Sequence, residues 1–176
     1  IEAIELVELK PRIGGLIEKV LVSDGVEVKA GQVIMTLDEK PLLAELARAE
    51  AQVARTEAQL AQARREAERN QALAEKDVVS RQRFDDTESA RLSAAADVAE
   101  AIATRDLARL DLGYARVAAP ITGRIGKVLV SAGNLVQGGG PVPPTLIATI
   151  ASLDPVYVAF DLDEATWSRG GTRVRA

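Results

Sequence analysis

The middle of the chain carries apolar residues at the spacing of two packed helices. Residues 42–75 are almost entirely Ala, Leu, Glu, Gln and Arg, which are strong helix formers. In this run apolar positions recur every seven residues, at Leu46, Val53, Leu60, Ala67 and Ala74. A second run repeats the pattern at intervals of three and four, through Leu92, Ala96, Ala99, Ala103, Leu107 and Leu110. Because such seams are typical of coiled coils, we predict two helices, over about 41–76 and 81–113, that pack through these positions.

Local signals mark the ends of these helices. Pro41 suits a first turn, Asp38 and Ser80 are candidate N-caps, and Gly113 is a candidate C-cap. The break between the two runs is short and lies around residues 76–80, so the helices are expected to fold back as an antiparallel hairpin over 39–116. At roughly 1.5 Å per residue, each arm is a rod of about 50 Å.

An internal repeat lies on both sides of the hairpin. Residues 15–31 (GLIEKVLVSDGVEVKAG) and 123–139 (GRIGKVLVSAGNLVQGG) align at an offset of 108, with ten of seventeen positions identical. The repeated unit is rich in β-branched residues and glycine, which predicts strands and turns. Asp24-Gly25 suits a tight hairpin turn, and further strands are expected over 32–37 and 146–153. Since a repeat is one unit used twice, we predict that the two copies fold face to face as a small β-sandwich.

Composition excludes several kinds of site. The chain has no Cys, no His and a single Met, so disulfides, imidazole catalysis and the commonest transition-metal sites are not expected. Basic residues are scattered and the formal net charge is −4, which gives no reason to expect nucleic-acid binding. The acidic group Asp85, Asp86 and Glu88 is better explained as a solvated first helical turn than as a metal or acid–base pair. We predict no catalytic, cofactor-binding or metal-binding residues.

Particular runs of residues resemble a known family. They are residues 11–17 (PRIGGLI), the turn Asp24-Gly25, residues 28–32 (VKAGQ), Leu37-Asp38, residues 119–126 (APITGRIG) and residues 153–158 (LDPVYV). In this order, with a helical hairpin between the halves, they resemble the periplasmic adaptors, or membrane fusion proteins, of tripartite multidrug efflux pumps of the resistance–nodulation–division (RND) type. These belong to the HlyD-like secretion adaptor superfamily.

The resemblance implies an α+β fold, a split lipoyl/biotinyl-like β-sandwich interrupted by a long antiparallel coiled-coil hairpin, with fragments of an adjacent β-barrel. Its half-motifs are expected over 10–38 and 117–154, and barrel fragments over 1–9 and 155–176. The residues after Trp167 resemble a later barrel strand, so part of the family sequence is expected to be skipped near 168–171.

The resemblance also implies a function. The adaptor links an inner-membrane RND transporter to an outer-membrane channel in the efflux of drugs and other xenobiotics. It works in the periplasm, associated with the inner membrane through a lipid anchor or N-terminal segment that this chain does not include. It self-associates, as a hexamer in the assembled pump, and needs no cofactor and no nucleic acid.

In the family, an Arg, a Leu and a Ser at the hairpin tip dock the outer-membrane channel, and the matching residues here are Arg69, Leu73 and Ser80. Arg offers a rigid fork of donors, Leu an apolar anchor and Ser a free hydroxyl. The alternative is that Arg69 is a solvated helix residue, Leu73 a seam residue and Ser80 only a cap.

One other function stays open, and a second is rejected on the sequence. An adaptor of an ABC-type exporter, for type I secretion or macrolide export, would share the fold and differ in the transporter that it serves. A lipoyl or biotinyl carrier would need a modified lysine between the half-motifs. Lys40 is the nearest lysine and lacks the carrier motif, which argues against that class.

Overall fold

A helical hairpin and a β-body built from two sheets make up the structure. The computed structural model describes residues 2–3, 5–75, 80–139, 142–153 and 156–157. The elements in chain order are β1 (Glu2–Ala3), β2 (Leu6–Leu9), β3 (Gly15–Val20), β4 (Glu27–Val28), β5 (Val33–Leu37), α1 (Lys40–Ala74), α2 (Arg81–Tyr114), β6 (Arg116–Ala118), β7 (Gly123–Ile125), β8 (Leu135–Val136), β9 (Ala148–Ala151) and β10 (Val156–Tyr157). The predicted α+β class is confirmed. Neither described helix has an apolar stretch of the length that a bilayer requires.

The two helices match the predicted arms, and their ends differ in detail. Pro41 lies in the first turn of α1, but the N-cap is Glu39 rather than Asp38. The Asp38 carboxylate still accepts a hydrogen bond from the Lys40 amide at 3.0 Å. The prediction that Gly113 caps α2 is wrong, since the helix continues to Tyr114 and Ala115 is the C-cap. The following strand supplies the reason, because Ala115 is fully buried and its carbonyl accepts from the Leu37 amide at 2.8 Å.

The predicted seam of α1 is confirmed. Val53, Leu60 and Ala67 are buried, and Leu46 and Ala74 are half-buried. The seam positions between these residues are also covered: Ala49, Thr56 and Asn70 are buried, and Ala63 is half-buried.

The predicted seam of α2 is wrong. Leu92, Leu107 and Leu110 are more than half exposed, and the three alanines of that pattern are exposed too. Most of the half-buried or buried residues of α2 follow a different heptad, on nearly the opposite side of the helix: Phe84, Thr87, Arg91, Ala94, Val98, Ala101, Arg105, Ala108 and Leu112. The physical reason is that α2 has two apolar faces, and the face with fewer leucines packs against α1.

The β-body consists of two four-stranded antiparallel sheets, ordered β2-β9-β7-β4 and β6-β5-β3-β8. Each repeat places one short strand in the sheet of the other: β4 pairs with β7, and β8 pairs with β3. Asp24-Gly25 therefore does not join two paired strands, and the predicted hairpin there is wrong. The turn carries the chain from one sheet to the other, with Gly25 at a φ of 75° and the Asp24 carboxylate accepting from the Val128 amide at 2.9 Å.

Hydrogen bonds repeat at the same offset as the sequence. The Gly25 amide donates to the Ile125 carbonyl at 3.0 Å, and the equivalent Gly133 amide donates to the Ile17 carbonyl at 2.9 Å. The two copies are thus related by an approximate twofold, and neither closes its sheet without the other.

The core lies between the sheets and includes residues of both copies. Its largest fully buried side chains are Ile17, Val28, Ile34, Met35, Leu37, Ile125, Val136, Ile147 and Ile150. Leu9 belongs to this core, and β2 pairs along its length with β9. The prediction that residues 1–9 are a barrel strand is therefore wrong for Leu6–Leu9, which belongs to the β-body. Beyond it, β1 pairs with β10 as a separate ladder, and the possible gap near 168–171 lies outside the described residues.

Candidate docking site at the hairpin tip

The three residues expected to dock a partner lie at the end of α1 and the start of α2. Arg69 and Leu73 are four residues apart on α1, so they share one side of the helix. Ser80 immediately precedes α2. Residues 76–79, which connect the two helices, lie outside the described residues. The structure therefore brings the trio to one end of the hairpin, about 50 Å of helix away from the β-body at roughly 1.5 Å per residue.

Ser80 caps α2, as the sequence predicts. Its backbone is extended, with φ −69° and ψ 151°, and its hydroxyl oxygen accepts from the Arg83 amide at 3.3 Å. The side chain is exposed. Because a hydroxyl has one proton to donate as well as lone pairs to accept, the cap leaves Ser80 Oγ–H available to a partner.

Leu73 is not a seam residue. It is 38% exposed, and the seam positions beside it are Asn70, which is buried, and Ala74, which is half-buried. An exposed leucine next to the tip is available as an apolar anchor.

Arg69 is exposed and forms no ion pair with another described residue. The guanidinium of Arg91, by contrast, is held by Glu88 through two hydrogen bonds of 2.9 and 2.5 Å. These bonds lower the pKa of the Glu88 carboxyl and raise the pKa of Arg91. Glu88 is thus an ion-pair partner along the helix. Among the described residues no group of three or more acidic side chains is arranged to hold a metal ion.

Asn70 is a tip residue that the sequence analysis missed. It is 7% exposed and occupies a seam position one residue from Arg69. An asparagine in a coiled-coil seam favours one register at some cost in stability. The heptad that runs from Ala67 to Ala74 places Asn70 in the seam, and this was the signal that could have identified it.

Two contacts attach the hairpin to the β-body and were also missed. Arg116 donates to the Glu39 carboxylate at 2.9 Å, which raises the pKa of Arg116. The Arg12 guanidinium lies 4.9 Å from the centre of the Tyr114 ring, a cation–π distance. Glu39 immediately precedes α1 and Arg116 lies two residues after the end of α2, so their pairing joins the two ends of the hairpin at its base.

Comparison with protein families gives a match over most of the chain. The model described as "RND MFP, barrel-sandwich hybrid domain", where MFP stands for membrane fusion protein, covers residues 5–148. This range contains β2 to β8, both helices and the start of β9.

Curated relatives of similar sequence come from Pseudomonas putida. The solvent efflux pump periplasmic linker SrpA is 37% identical over 156 residues, which are 89% of this chain and 36% of SrpA. The antibiotic efflux pump periplasmic linker protein ArpA is 37% identical over 164 residues, 93% of this chain and 39% of ArpA. The chain therefore spans less than two-fifths of the length of these relatives.

Solved structures share the fold. MacA from Actinobacillus actinomycetemcomitans matches with a TM-score of 0.73 at 22% identity, over 86% of this chain and 51% of MacA. ZneB from Cupriavidus metallidurans matches with a TM-score of 0.59 at 27% identity, over 87% of this chain and 64% of ZneB.

Proposed function

The chain belongs to the RND membrane fusion proteins, and from this premise we propose that it is part of a periplasmic adaptor that links an inner-membrane RND transporter to an outer-membrane channel. The adaptor serves efflux of drugs or other xenobiotics. It works in the periplasm beside the inner membrane, and several copies, six in the assembled pump, surround the conduit.

The observation that carries this proposal is the hairpin itself. Helices of 35 and 34 residues project from a β-body whose interior is filled by aliphatic side chains. Two helices packed through a narrow seam have little interior for a substrate, but they place a small surface far from the body. Such a shape suits contact with a distant partner, so we propose an adaptor that catalyses no reaction itself.

The tip supplies the proposed contact with the channel. Arg69 offers several N–H donors, Leu73 an exposed apolar side chain and Ser80 a hydroxyl proton. Carbonyl groups or carboxylates beside a shallow apolar depression on the channel would match these three groups. Because the side chains lie on secondary structure on both sides of the connection, the hairpin holds them in a defined arrangement.

Substitution at the tip tests the proposal. The double variant Arg69→Ala, Ser80→Asn removes the guanidinium and the hydroxyl, while Asn keeps an N-cap for α2. The gene that encodes this chain should restore drug resistance to cells that lack the corresponding linker. The same gene with the double substitution should leave resistance at the level of cells with no linker.

Arg109→Ala is the matched control, since it removes another exposed arginine, near the other end of the hairpin. This variant should complement fully. Far-UV circular dichroism should show the same helix content in all three proteins. Normal resistance with the tip variant would contradict the docking role of Arg69 and Ser80.

A further inference from the structure

A cavity of about 360 Å³ lies where the helical hairpin joins the β-body. Its walls include β2 and β6, which are the terminal strands of the two different sheets, and Tyr114 at the end of α2. The cavity, here called the base cavity, therefore opens where two strand edges have no neighbouring strand. Cavities of this volume commonly hold small ligands, so its chemistry indicates what it could bind.

Positive charge exceeds negative charge around the base cavity. Three of the side chains that line it are cationic, those of Lys10, Arg12 and Arg116. Lys10 is paired with Glu8, and Arg116 is paired with Glu39. Arg12 forms no ion pair with another described residue. The charge of Arg12 is thus left without a carboxylate partner and is available to an anionic ligand.

The ring of Tyr114 holds the Arg12 side chain in place. The guanidinium carbon of Arg12 lies 4.9 Å from the centre of this ring, a cation–π contact. Because the contact uses the charge and the flat face of the aromatic ring, it leaves guanidinium N–H groups free to donate. A guanidinium can bind both oxygens of a carboxylate with two parallel hydrogen bonds.

The backbone of β6 adds a neutral donor. Ala118 lies opposite Val33 in the ladder between β6 and β5, but the hydrogen bond at this point is made by the next residue, since the Ala119 amide donates to the Gln32 carbonyl at 2.9 Å. Because the backbone groups of successive residues point to alternate sides of a strand, the Ala118 amide points to the open edge of β6. Ala118 also lines the base cavity, so the cavity offers an anion both a charged and a neutral donor.

An apolar hollow adjoins the base cavity. Tyr114 lines both spaces, and Leu110 and Gly113 line the hollow with it. Leu110 is 52% exposed, and a methyl group on Gly113 would meet no atom within 4 Å, so the space beside this turn of α2 is open. Asp106 and Arg109 complete the lining and carry opposite charges. An anion site and an apolar surface therefore meet at one tyrosine.

We propose that the base cavity and the adjoining hollow bind a single-chain amphiphile with a carboxylate or similar anionic head group. The head group lies beside Arg12, and the alkyl chain passes Tyr114 to lie against Leu110 and Gly113. A single uncompensated cation next to an apolar surface fits one anionic head with one chain better than it fits an acidic peptide, which carries several charges. The site lies at the opposite end of the hairpin from the docking tip, so this inference goes beyond the proposed function.

Titration of the ¹⁵N-labelled 176-residue chain with sodium octanoate, followed by amide NMR, tests the proposal. Octanoate should cause saturable shifts at the amides of Arg12, Gly113 and Ala118. Acetate, which lacks the chain, and 1-octanol, which lacks the charge, should each bind at least tenfold more weakly, because each makes only half of the contacts. Equal affinity for octanoate and 1-octanol, or saturable shifts confined to other parts of the chain, would overturn the proposal.

Substitution of Arg12 separates this site from general attraction to positive charge. Arg12→Gln keeps an N–H donor but removes the charge, and it should weaken octanoate binding at least tenfold. Arg55→Gln is the matched control, because Arg55 is also exposed and forms no ion pair with another described residue, but lies on α1 outside both spaces. This variant should bind octanoate as the unchanged chain does. Equal weakening by the two substitutions would mean diffuse attraction and no site.

A second variant tests the place of the alkyl chain. Gly113→Leu puts a side chain into the hollow, and leucine favours the helix more than glycine does, so the fold should be kept. It should weaken octanoate binding at least tenfold and leave the shifts caused by acetate unchanged. Unchanged octanoate affinity in this variant would refute the assigned position of the chain.

Two further probes distinguish other ligands with the same charge. The chain should stay in the supernatant when vesicles of phosphatidylglycerol are sedimented. Co-sedimentation that Arg12→Gln abolishes would assign the site to a bilayer surface, and displacement of octanoate by a tighter-binding hexaglutamate peptide would assign it to an acidic segment; either result would overturn the proposal. Because these measurements need neither transporter nor channel, their outcome is independent of the efflux test at the tip.

Discussion

At the scale of single residues, the two copies of the β-repeat are not equivalent. Gly15 and Gly123 occupy the same repeat position. A methyl group on Gly15 would meet the Leu37 side chain at 3.5 Å, an ordinary contact, whereas on Gly123 it would lie 2.2 Å from the Ala151 carbonyl oxygen. The repeat predicts that both positions are alike, and only the close approach of the neighbouring strand β9 to β7 shows that, of the two glycines, Gly123 is the one that is required.

We therefore expect Gly123→Ala to destabilise the fold by about 3 kcal/mol, since backbone in a packed sheet cannot move aside cheaply. Gly15→Ala is the matched control and should cost less than about 1 kcal/mol. Urea unfolding followed by circular dichroism measures both. Similar losses of stability in the two variants would contradict the asymmetry.

At the scale of elements, the sequence predicts the helices well and only one of their two seams. Between residues 44 and 70 of α1, the apolar residues larger than alanine all lie on one face, so Val53 and Leu60 were assigned correctly. On α2 the larger apolar residues lie on the outer face, while the seam itself includes Arg91 and Arg105, whose alkyl stems can pack while their charged ends pair with Glu88 and Asp106. Periodicity shows that a face is apolar, but it does not show which partner covers it.

Truncating one leucine from each kind of face tests the corrected assignment. Leu60 is 8% exposed in the seam and Leu107 is 65% exposed outside it. Leu60→Ala should lower the free energy of unfolding by about 2–3 kcal/mol. Leu107→Ala should change it by less than about 0.5 kcal/mol at protein concentrations where copies do not associate. Thermal unfolding at low protein concentration measures the difference. An equal loss of unfolding free energy in Leu107→Ala would support the α2 seam that was predicted from the sequence.

At the scale of the whole molecule, the exchange of β4 and β8 makes one cooperative body from two distant segments. The offset repeat predicts that the halves pair, and the family resemblance predicts the split. Neither predicts that each half contributes a strand to the sheet of the other half, because Asp24-Gly25 has the local sequence of an ordinary hairpin turn. Likewise, the tip trio was identified by resemblance, while Asn70 and the base contact between Glu39 and Arg116 emerged only from packing.

The same exchange implies that the hairpin is dispensable for folding of the β-body. The two ends of the hairpin meet at its base, where the Leu37 amide donates to the Ala115 carbonyl at 2.8 Å and Arg116 pairs with Glu39 at 2.9 Å. A few glycines in place of residues 40–114 would therefore span the gap without strain. We expect the shortened chain to keep its β-sheet circular dichroism and a cooperative thermal transition. As a control, Val136→Asp in the shortened chain should abolish the transition, because it puts a charge at a fully buried position of the exchanged strand β8. A shortened chain that is itself unfolded would mean that the helices hold the two halves of the β-body together. The hairpin would then be required for folding as well as for contact with a distant partner.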